Sequence, residues 1–379
     1  MSHPFAEYRR LFPILQHAAQ LSSCSQSAMS LPVREAIVQY LDGWERRGMD
    51  WGGWMDGVAG ARAEFARLIG ARLDDVAVLG SVSDAASSVA SSLSFSAERP
   101  YVVASTLDFP SLCHVWLAQE PRGAKVRFVE GQPGSDDAAA RLGAAVADDT
   151  AVVAVSHASF YDGQLTDLAA SATAAHAHGA LQFVDAYQSA GSVPIDVVAQ
   201  GVDVLAAGAQ KYLLGIPGIA FLYVSPERAA KLQPAVTGWF GRVEPFAFDP
   251  RKLDFPPTGA KFNTGTPPML PAAAAHAALR LLNEIGVEAI QAWLRQLSAV
   301  AIAEADARGL EVVSPRNLEA KGGNTAIRVP GASAVEQAMA QRGYIVSARN
   351  DVIRIAPHFY NTTDEVAGAV RTLAELVKG

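Results

Sequence analysis

The fold predicted for this chain is decided by residues 183–224, which read FVDAYQSAGSVPIDVVAQGVDVLAAGAQKYLLGIPGIAFLYV. Asp185 directly follows the first of three short apolar runs, and Lys211 follows the second, 26 residues beyond Asp185. Short apolar runs separated by glycine- and proline-containing breaks are typical of buried strands. The stretch therefore predicts three strands, with an acid and a lysine at their ends.

The same alternation of strand and helix patterns extends over most of the chain. Strands are predicted at residues 76–79, 101–104, 125–129, 151–155, 181–184, 202–206 and 219–224. Helical patterns lie between most of these strands, which predicts an α/β fold with a mostly parallel, seven-stranded sheet. Ligands bind beyond the carboxyl ends of such strands, so we expect one shared cleft there.

Three parts of the chain are predicted. Residues 1–30 are weakly patterned and predict an N-terminal arm that packs on a small domain. Residues 31–265 predict the large domain, which would bind the cofactor. Residues 266–379 predict a smaller α+β domain, whose last part, from Glu311 to Val377, has the pattern strand, strand, helix, strand, strand, helix.

Other segments give weaker signals. Apolar residues at helical spacing predict helices at residues 32–47, 59–69 and 271–308. The indole-rich segment 51–54 is interpreted as a loop that packs its Trp side chains. Residues 237–271 are rich in Pro and Gly and predict a long loop, of the kind that is often functional.

Composition excludes several classes of function. The 379 residues carry a net charge of −7, which argues against a nucleic-acid or anionic-membrane partner. The N-terminus lacks a signal-peptide pattern, and no apolar run reaches membrane-spanning length. Cys24 and Cys113 are the only cysteines and have no metal-ligand spacing. These features predict a cytoplasmic, disulfide-free protein without a metal.

Asp185 and Lys211 together suit one cofactor. Pyridoxal phosphate (PLP) needs a lysine for its Schiff base and an acid for its pyridinium nitrogen. Lys211 lies among small and apolar residues, where burial would lower its pKa and make the amine nucleophilic. Each residue has an ordinary alternative, Asp185 as a cap and Lys211 as a solvated charge. The pair favours a cofactor site.

An ordered set of motifs surrounds this pair. The motifs are Asp185-Ala186-Tyr187-Gln188, Pro194-Ile195-Asp196, Gly201-Val202-Asp203 and Lys211-Tyr212-Leu213 with Pro217-Gly218. The set resembles the class V aminotransferase superfamily, which includes cysteine desulfurases, isopenicillin epimerases and kynureninases. The resemblance implies the fold type I of PLP-dependent transferases, acting as a homodimer on an amino acid.

The resemblance also implies roles in cofactor binding. Ser83 and the Val82 backbone would bind the phosphate at the start of a helix predicted from Ala85, although Ser83 is alternatively a helix cap. Phe109 would stack on the pyridine ring, unless it is a core residue. Gln188 would bind the phenolic oxygen. The remaining implied cofactor contacts are Gln210, Trp239 and Thr266, with Thr266 reaching the phosphate of the other subunit.

Arg354 is the implied ligand of the substrate α-carboxylate, with a structural ion pair as the alternative. His157 and Ser159 are the other implied substrate-binding residues. His157 is alternatively a hydrogen-bonded structural histidine.

Departures from the family leave the reaction open. Residues 347–351 lack the nucleophilic Cys of desulfurases, and Leu112, Gln188 and Gln210 replace residues typical of kynureninases. Transamination is preferred. A kynureninase-like hydrolase, a C–S or β-lyase and an epimerase are the alternatives, and a non-catalytic cofactor-binding protein is a further one.

Overall fold

The computed structural model describes residues 3–378. Its α-helices are α1 (Leu31–Arg47), α2 (Trp51–Leu68), α3 (Val82–Ser91), α4 (Pro110–Leu117), α5 (Ala138–Ala144), α6 (Leu168–Ala177), α7 (Pro226–Lys231), α8 (Met269–Ile285), α9 (Val287–Ala307), α10 (Ala332–Gln341) and α11 (Thr363–Lys378). Its strands are β1 (Ala19–Gln20), β2 (Val76–Leu79), β3 (Tyr101–Ser105), β4 (Lys125–Val129), β5 (Thr150–Ser156), β6 (Leu181–Asp185), β7 (Val204–Gly208), β8 (Ala220–Val224), β9 (Thr325–Arg328), β10 (Tyr344–Ile345), β11 (Ser347–Arg349) and β12 (Val352–Ile355). Among residues 3–378, no helix combines the length and the apolar character that a membrane span requires.

A seven-stranded sheet forms the centre of the molecule, in the order β2-β8-β7-β6-β5-β3-β4. Strand β8 runs antiparallel to both of its neighbours, and the other pairs are parallel. The prediction of a mostly parallel, seven-stranded sheet is confirmed, with each strand within about two residues of its expected position. Pairing places Ser156 opposite Asp185 and Asp185 opposite Ala206, so the ends of β5, β6 and β7 lie together.

Both faces of this sheet are covered. Alternate residues of β6 and β7 enter two different cores: Phe183 and Val204 pack in one, and Val184 and Leu205 pack in the other. Alternation of this kind follows from the two-residue period of a strand. Helices on both faces leave the strand ends as the open edge of the sheet.

The segment predicted as an indole-rich loop is instead the first turn of α2. Asp50 caps this helix, because its carboxylate accepts a hydrogen bond from the backbone N–H of Gly53 at 3.4 Å. Helical spacing brings Trp54 over Tyr40 of α1, with ring centres 5.2 Å apart. The expectation that Trp51 and Trp54 serve packing agrees with this arrangement, but the loop prediction was wrong.

The C-terminal part contains a three-stranded antiparallel sheet, in the order β11-β12-β9, with helices against it. The smaller α+β region is therefore confirmed. The first of its predicted strands is wrong, because Val312 forms only an isolated bridge with Ile327.

The N-terminal arm contacts this region at several points. Strand β1 pairs with β10, and Arg9 forms an ion pair with Glu365 at 2.7 Å. The ring of Phe12 lies edge-on to Phe359. The exact domain boundaries stay predictions.

Candidate active site

A cavity of about 320 Å³ lies at the carboxyl ends of β5 and β6, beside the loop that follows β7. Eight residues chosen from the sequence line it: Val82, Ser83, Phe109, Asp185, Gln188, Gln210, Lys211 and Arg354. The remaining four candidates, His157, Ser159, Trp239 and Thr266, do not line it. The fold thus brings together groups from both ends of the chain.

Lys211 lies in the loop after β7, among aromatic rings. Its Nζ is 4.1 Å from the centre of the Tyr187 ring and 5.5 Å from that of Phe109. Burial lowers the pKa of Lys211 to about 8, and the charge of Asp185 opposes this effect. A neutral, nucleophilic amine is therefore more accessible here than on a solvated lysine.

Tyr187 holds its position because Gly208 has no side chain. A Cβ atom added at Gly208 would overlap the Tyr187 ring. Burial raises the pKa of Tyr187 to about 12, so the phenol keeps its proton. The ring that covers Lys211 is therefore a neutral aromatic surface.

Asp185 is the last residue of β6 and is buried. Its Oδ1 accepts a hydrogen bond from the backbone N–H of Tyr187 at 2.9 Å. Burial raises the pKa of Asp185, while that N–H and Lys211 act in the opposite direction. Among residues 3–378, no donor is hydrogen-bonded to Oδ2. This oxygen can accept from a bound cation.

Helix α3 directs its N-terminus toward the cavity. The helix begins at Val82 and not at Ala85, and the N-cap is Ser81, whose Oγ accepts from the backbone N–H of Asp84 at 3.0 Å. The interpretation of Ser83 as the cap was therefore wrong. The first-turn amides and the Ser83 hydroxyl are placed to bind an anion.

The N-terminal arm holds two glutamines of the cavity. Gln188 donates from Nε2 to the backbone oxygen of Cys24 at 2.9 Å. Gln210 donates from Nε2 to the backbone oxygen of Ser25 at 3.4 Å. Each amide nitrogen carries a second hydrogen, which these two contacts leave available.

Arg354 lies on β12 and has no exposed surface. Its guanidinium donates to the backbone oxygen of Phe160 at 2.8 Å, to Ser25 Oγ at 3.0 Å and to Ser347 Oγ at 2.7 Å. Within the described chain no carboxylate pairs with it, so the alternative of a structural ion pair finds no partner. The positive charge of Arg354 remains uncompensated at the cavity wall.

Two residues that were predicted to bind substrate, His157 and Ser159, lie outside the cavity. His157 is buried, burial lowers its pKa to about 4, and its backbone N–H donates to the backbone oxygen of Asp185 at 2.9 Å. Ser159 Oγ accepts from the backbone N–H of Tyr161 at 3.2 Å and thus stabilises a turn. Their positions outside the cavity give a substrate role no support, since neither side chain faces the cleft.

The two loop residues lie apart from the cavity as well. Thr266 is exposed. Trp239 packs in an aromatic cluster, with its ring centre 4.4 Å from that of Phe240 and 5.6 Å from that of Phe246. Neither residue lines the cavity of its own chain.

Several lining residues were missed by the sequence reasoning. Tyr187 lies inside the motif that contains Asp185, so its position was a usable signal. Arg349 lies on β11, the strand that pairs with the β12 strand of Arg354, and it lines the same cavity. Cys24 and Ser25 come from the N-terminal arm, and no local pattern indicated that they reach the site.

With fold and site described, the chain can be placed among known proteins. The sequence profile of the family described as "Aminotransferase class-V" matches residues 28–368, so the chain belongs to the class V aminotransferase family. Members of this family are PLP-dependent enzymes, and this chain is one of them.

Particular relatives agree with this assignment. The uncharacterized aminotransferase YcbU of Bacillus subtilis is 42% identical over 99% of this chain and 98% of its own length. A kynureninase of Pseudomonas fluorescens is 30% identical, covering 86% of this chain and 80% of the relative. A lysine-to-alanine variant of C-DES, solved with glycine covalently linked to its PLP cofactor, has a TM-score of 0.88 at 20% identity. That structure covers 97% of this chain and 99% of C-DES, which confirms the fold.

Proposed function

We propose that this enzyme transfers the amino group of an α-amino acid, and that the cavity around Lys211 is its active site. The observation that carries the proposal is the shared cavity of Lys211 and Asp185, which lie 26 residues apart in sequence. Asp185 is buried and accepts only the backbone N–H of Tyr187, and the half-buried Lys211 amine has no hydrogen-bond partner among residues 3–378, so both leave bonding capacity for a ligand. The 42% identity to a relative called an aminotransferase supports the choice of reaction.

The donor set of the cavity fits PLP. Lys211 would bind the aldehyde, Asp185 Oδ2 would accept from the ring nitrogen, and the amides of Val82 and Ser83 would bind the phosphate. Phe109 is 37% exposed and offers its ring to a planar ligand. When bound, the cofactor supplies an electron sink that stabilises negative charge at the substrate Cα.

Lys211 would move the proton in this reaction. Because burial lowers its pKa to about 8, about one tenth of the amine is neutral at pH 7, far more than for a lysine with the usual pKa of 10.5. A neutral Nζ can take the proton from the substrate Cα, and a pKa close to the working pH favours both uptake and return. The aromatic rings of Tyr187 and Phe109 present apolar surfaces to this atom.

The other cavity residues would orient the two ligands. Arg354 is held by four hydrogen bonds. These leave one N–H, on Nη1, which together with the positive charge would bind the α-carboxylate. Gln188 and Gln210 each retain one N–H, which would donate to the phenolic oxygen and to the phosphate respectively. His157 and Ser159 are not part of this proposal.

A kynureninase-like hydrolysis is the second candidate. The 30% identity to a kynureninase and the segment Phe109-Pro110-Ser111 favour it. Against it, Leu112 and Gln210 occupy the positions where the resemblance to kynureninases expects an acid and a tyrosine. Neither side chain ionises, so neither can replace those residues in proton transfer. No residue of the described cavity specifically favours a lyase or an epimerase reaction.

A homodimer is proposed as the working form. Phe246 is 55% exposed, Phe248 is 70% exposed and Leu253 is 59% exposed, in the same loop region as Trp239. Exposed apolar side chains gathered in this way indicate a covered surface. Thr266 lies at the end of this loop region and would reach the phosphate site of the other subunit. A protein that sediments as a monomer and is fully active at the same concentration would contradict the proposed homodimer.

Product analysis tests the reaction. The purified, PLP-loaded protein is incubated with a panel of amino acids together with 2-oxo acids, and with kynurenine. We expect a new amino acid to form only when both an amino donor and a 2-oxo acid are present. Anthranilate from kynurenine would favour the hydrolase. The cytoplasmic location stays a prediction that fractionation of the source cells would check.

A further inference from the structure

Arg349 is a cavity residue whose charge the protein leaves unmatched. Its side chain lines the cavity, and its Nε is buried without a hydrogen-bond partner. No ion pair of Arg349 occurs within residues 3–378. The side chain is only partly buried. A buried donor such as this Nε is nevertheless costly without a partner, and a ligand could supply one.

The register of the small sheet places Arg349 beside Arg354. Strand pairing sets Ser347 of β11 opposite Arg354 of β12. Arg349 lies two residues beyond Ser347, so it projects from the same face and is the diagonal neighbour of Arg354. Two cations therefore point from one rigid antiparallel pair into one cavity.

The charge of the cavity wall is unbalanced. Lys211, Arg349 and Arg354 line it, whereas Asp185 is the only carboxylate among the lining residues that the structure describes. Glu336 lies near Arg349, but its Oε1 accepts from the backbone N–H of Ala348 at 3.0 Å, and it does not line the cavity. On the small-domain side of the cavity, Arg349 and Arg354 thus carry two positive charges, and no carboxylate among the lining residues faces them there.

We propose that the substrate is an amino acid with a second anionic group, whose α-carboxylate binds Arg354 and whose side-chain acid binds Arg349. This inference rests on the proposed function and names its substrate class. Two guanidinium groups on one strand pair match two carboxylates of one short chain. A neutral substrate would leave the buried Nε of Arg349 without a partner and its charge unpaired, and the site would discriminate against it.

Binding of unreactive acids tests this without turnover. Calorimetry on the PLP-loaded protein compares succinate with butyrate, and glutarate with valerate, which have matched carbon numbers. At least one diacid is expected to bind about tenfold more tightly than its monoacid. Arg349→Gln should abolish this preference, while Arg349→Lys should retain part of it.

A matched control is available on the surface. Arg316 is half-exposed and pairs with Asp306, so Arg316→Gln removes an arginine without touching the cavity. This control should keep the diacid preference. Equal affinity for diacids and monoacids in the unmodified protein would overturn the proposal, as would a preference that Arg349→Gln leaves unchanged. A loss of PLP affinity in Arg349→Gln with unchanged diacid preference would assign Arg349 to the phosphate instead.

Steady-state measurements separate this inference from the proposed function. The ratio of kcat/KM for aspartate over asparagine, and for glutamate over glutamine, should fall about tenfold in Arg349→Gln. If neutral amino acids react as well as acidic ones, the substrate class is wrong and the transaminase assignment stands. If no amino acid reacts and no PLP absorbance is present, the proposed function itself fails.

Discussion

Lys211 and Lys321 are two lysines inside the same protein, and their surroundings differ. Burial lowers the pKa of Lys211 to about 8 and that of Lys321 to about 7. The ammonium of Lys321 donates to Ser298 Oγ at 2.8 Å, to the Gly322 oxygen at 2.9 Å and to Thr325 Oγ1 at 3.2 Å. Lys211 instead lies over two aromatic rings and faces a cavity.

The difference shows that a lowered pKa does not identify a functional lysine. Lys321 satisfies all three of its donors inside the protein and lies outside the cavity, so it stabilises a local structure. Lys211 leaves its donors to a ligand and has a buried acid, Asp185, in the same cavity. Substitution of Lys211 should therefore affect catalysis, whereas substitution of Lys321 should affect the stability of the fold.

The largest effect is expected for Lys211→Ala. Loss of the group that moves the proton should lower kcat by about 10³-fold. The folded state without PLP should lose little stability, because the amine that is removed makes no hydrogen bond within residues 3–378. Steady-state kinetics and thermal unfolding check both parts, and activity within tenfold of the unmodified enzyme would disprove the role of Lys211.

Asp185→Asn should have the next largest effect. A neutral amide cannot stabilise a positive ring nitrogen, so kcat should fall by at least tenfold, or about 1.4 kcal/mol, while PLP binding is partly kept. Absorbance titration with PLP and the rate with the best substrate are the measurements. A smaller change in kcat would show that Asp185 only terminates β6.

Lys321→Met should change stability and leave the chemistry intact. At alkaline pH, where the Lys321 amine is neutral, acceptors at Ser298, Gly322 and Thr325 would lose their donor, which should lower the free energy of unfolding by about 1 kcal/mol. Denaturant unfolding measures this change. Because Lys321 does not line the cavity, kcat should stay within about threefold. A loss of kcat as large as that of Lys211→Ala would contradict the comparison.

The same lysine should also make stability depend on pH. The folded-state pKa of Lys321 lies near 7, below its usual 10.5, so the unfolded chain binds more protons between these values. The stability contribution of Lys321 is therefore complete above pH 10.5 and is lost as the pH falls through about 7. The unmodified protein should gain stability relative to Lys321→Met as the pH rises through this window. A difference that is constant with pH would show that the lysine titrates normally.

Much of the fold was predictable from local patterns. The seven strands of the sheet are short buried runs, and burial on both faces makes such runs continuous in sequence. The start of α2 was missed although its signal is local, because the two glycines after Trp51 suggested a loop and outweighed the cap at Asp50. A capping carboxylate is enough to begin a helix that later packing stabilises.

The candidate site was predictable only where it is built on single strands. Asp185 and Lys211 follow strands, so their meeting at one edge follows from the parallel sheet. Cys24 reaches Gln188 across 164 residues, and only tertiary packing determines that contact. Arg349 required the register of β11 with β12, which a sequence without a structure does not fix.

Reductive trapping tests the central claim most directly. The PLP-loaded protein is treated with borohydride, digested and mapped by mass spectrometry, which fixes the cofactor on the lysine that holds it. We expect the label on the peptide that contains Lys211, and none on Lys321. A label on Lys321, or on exposed Lys125 or Lys231 in its place, would contradict the account.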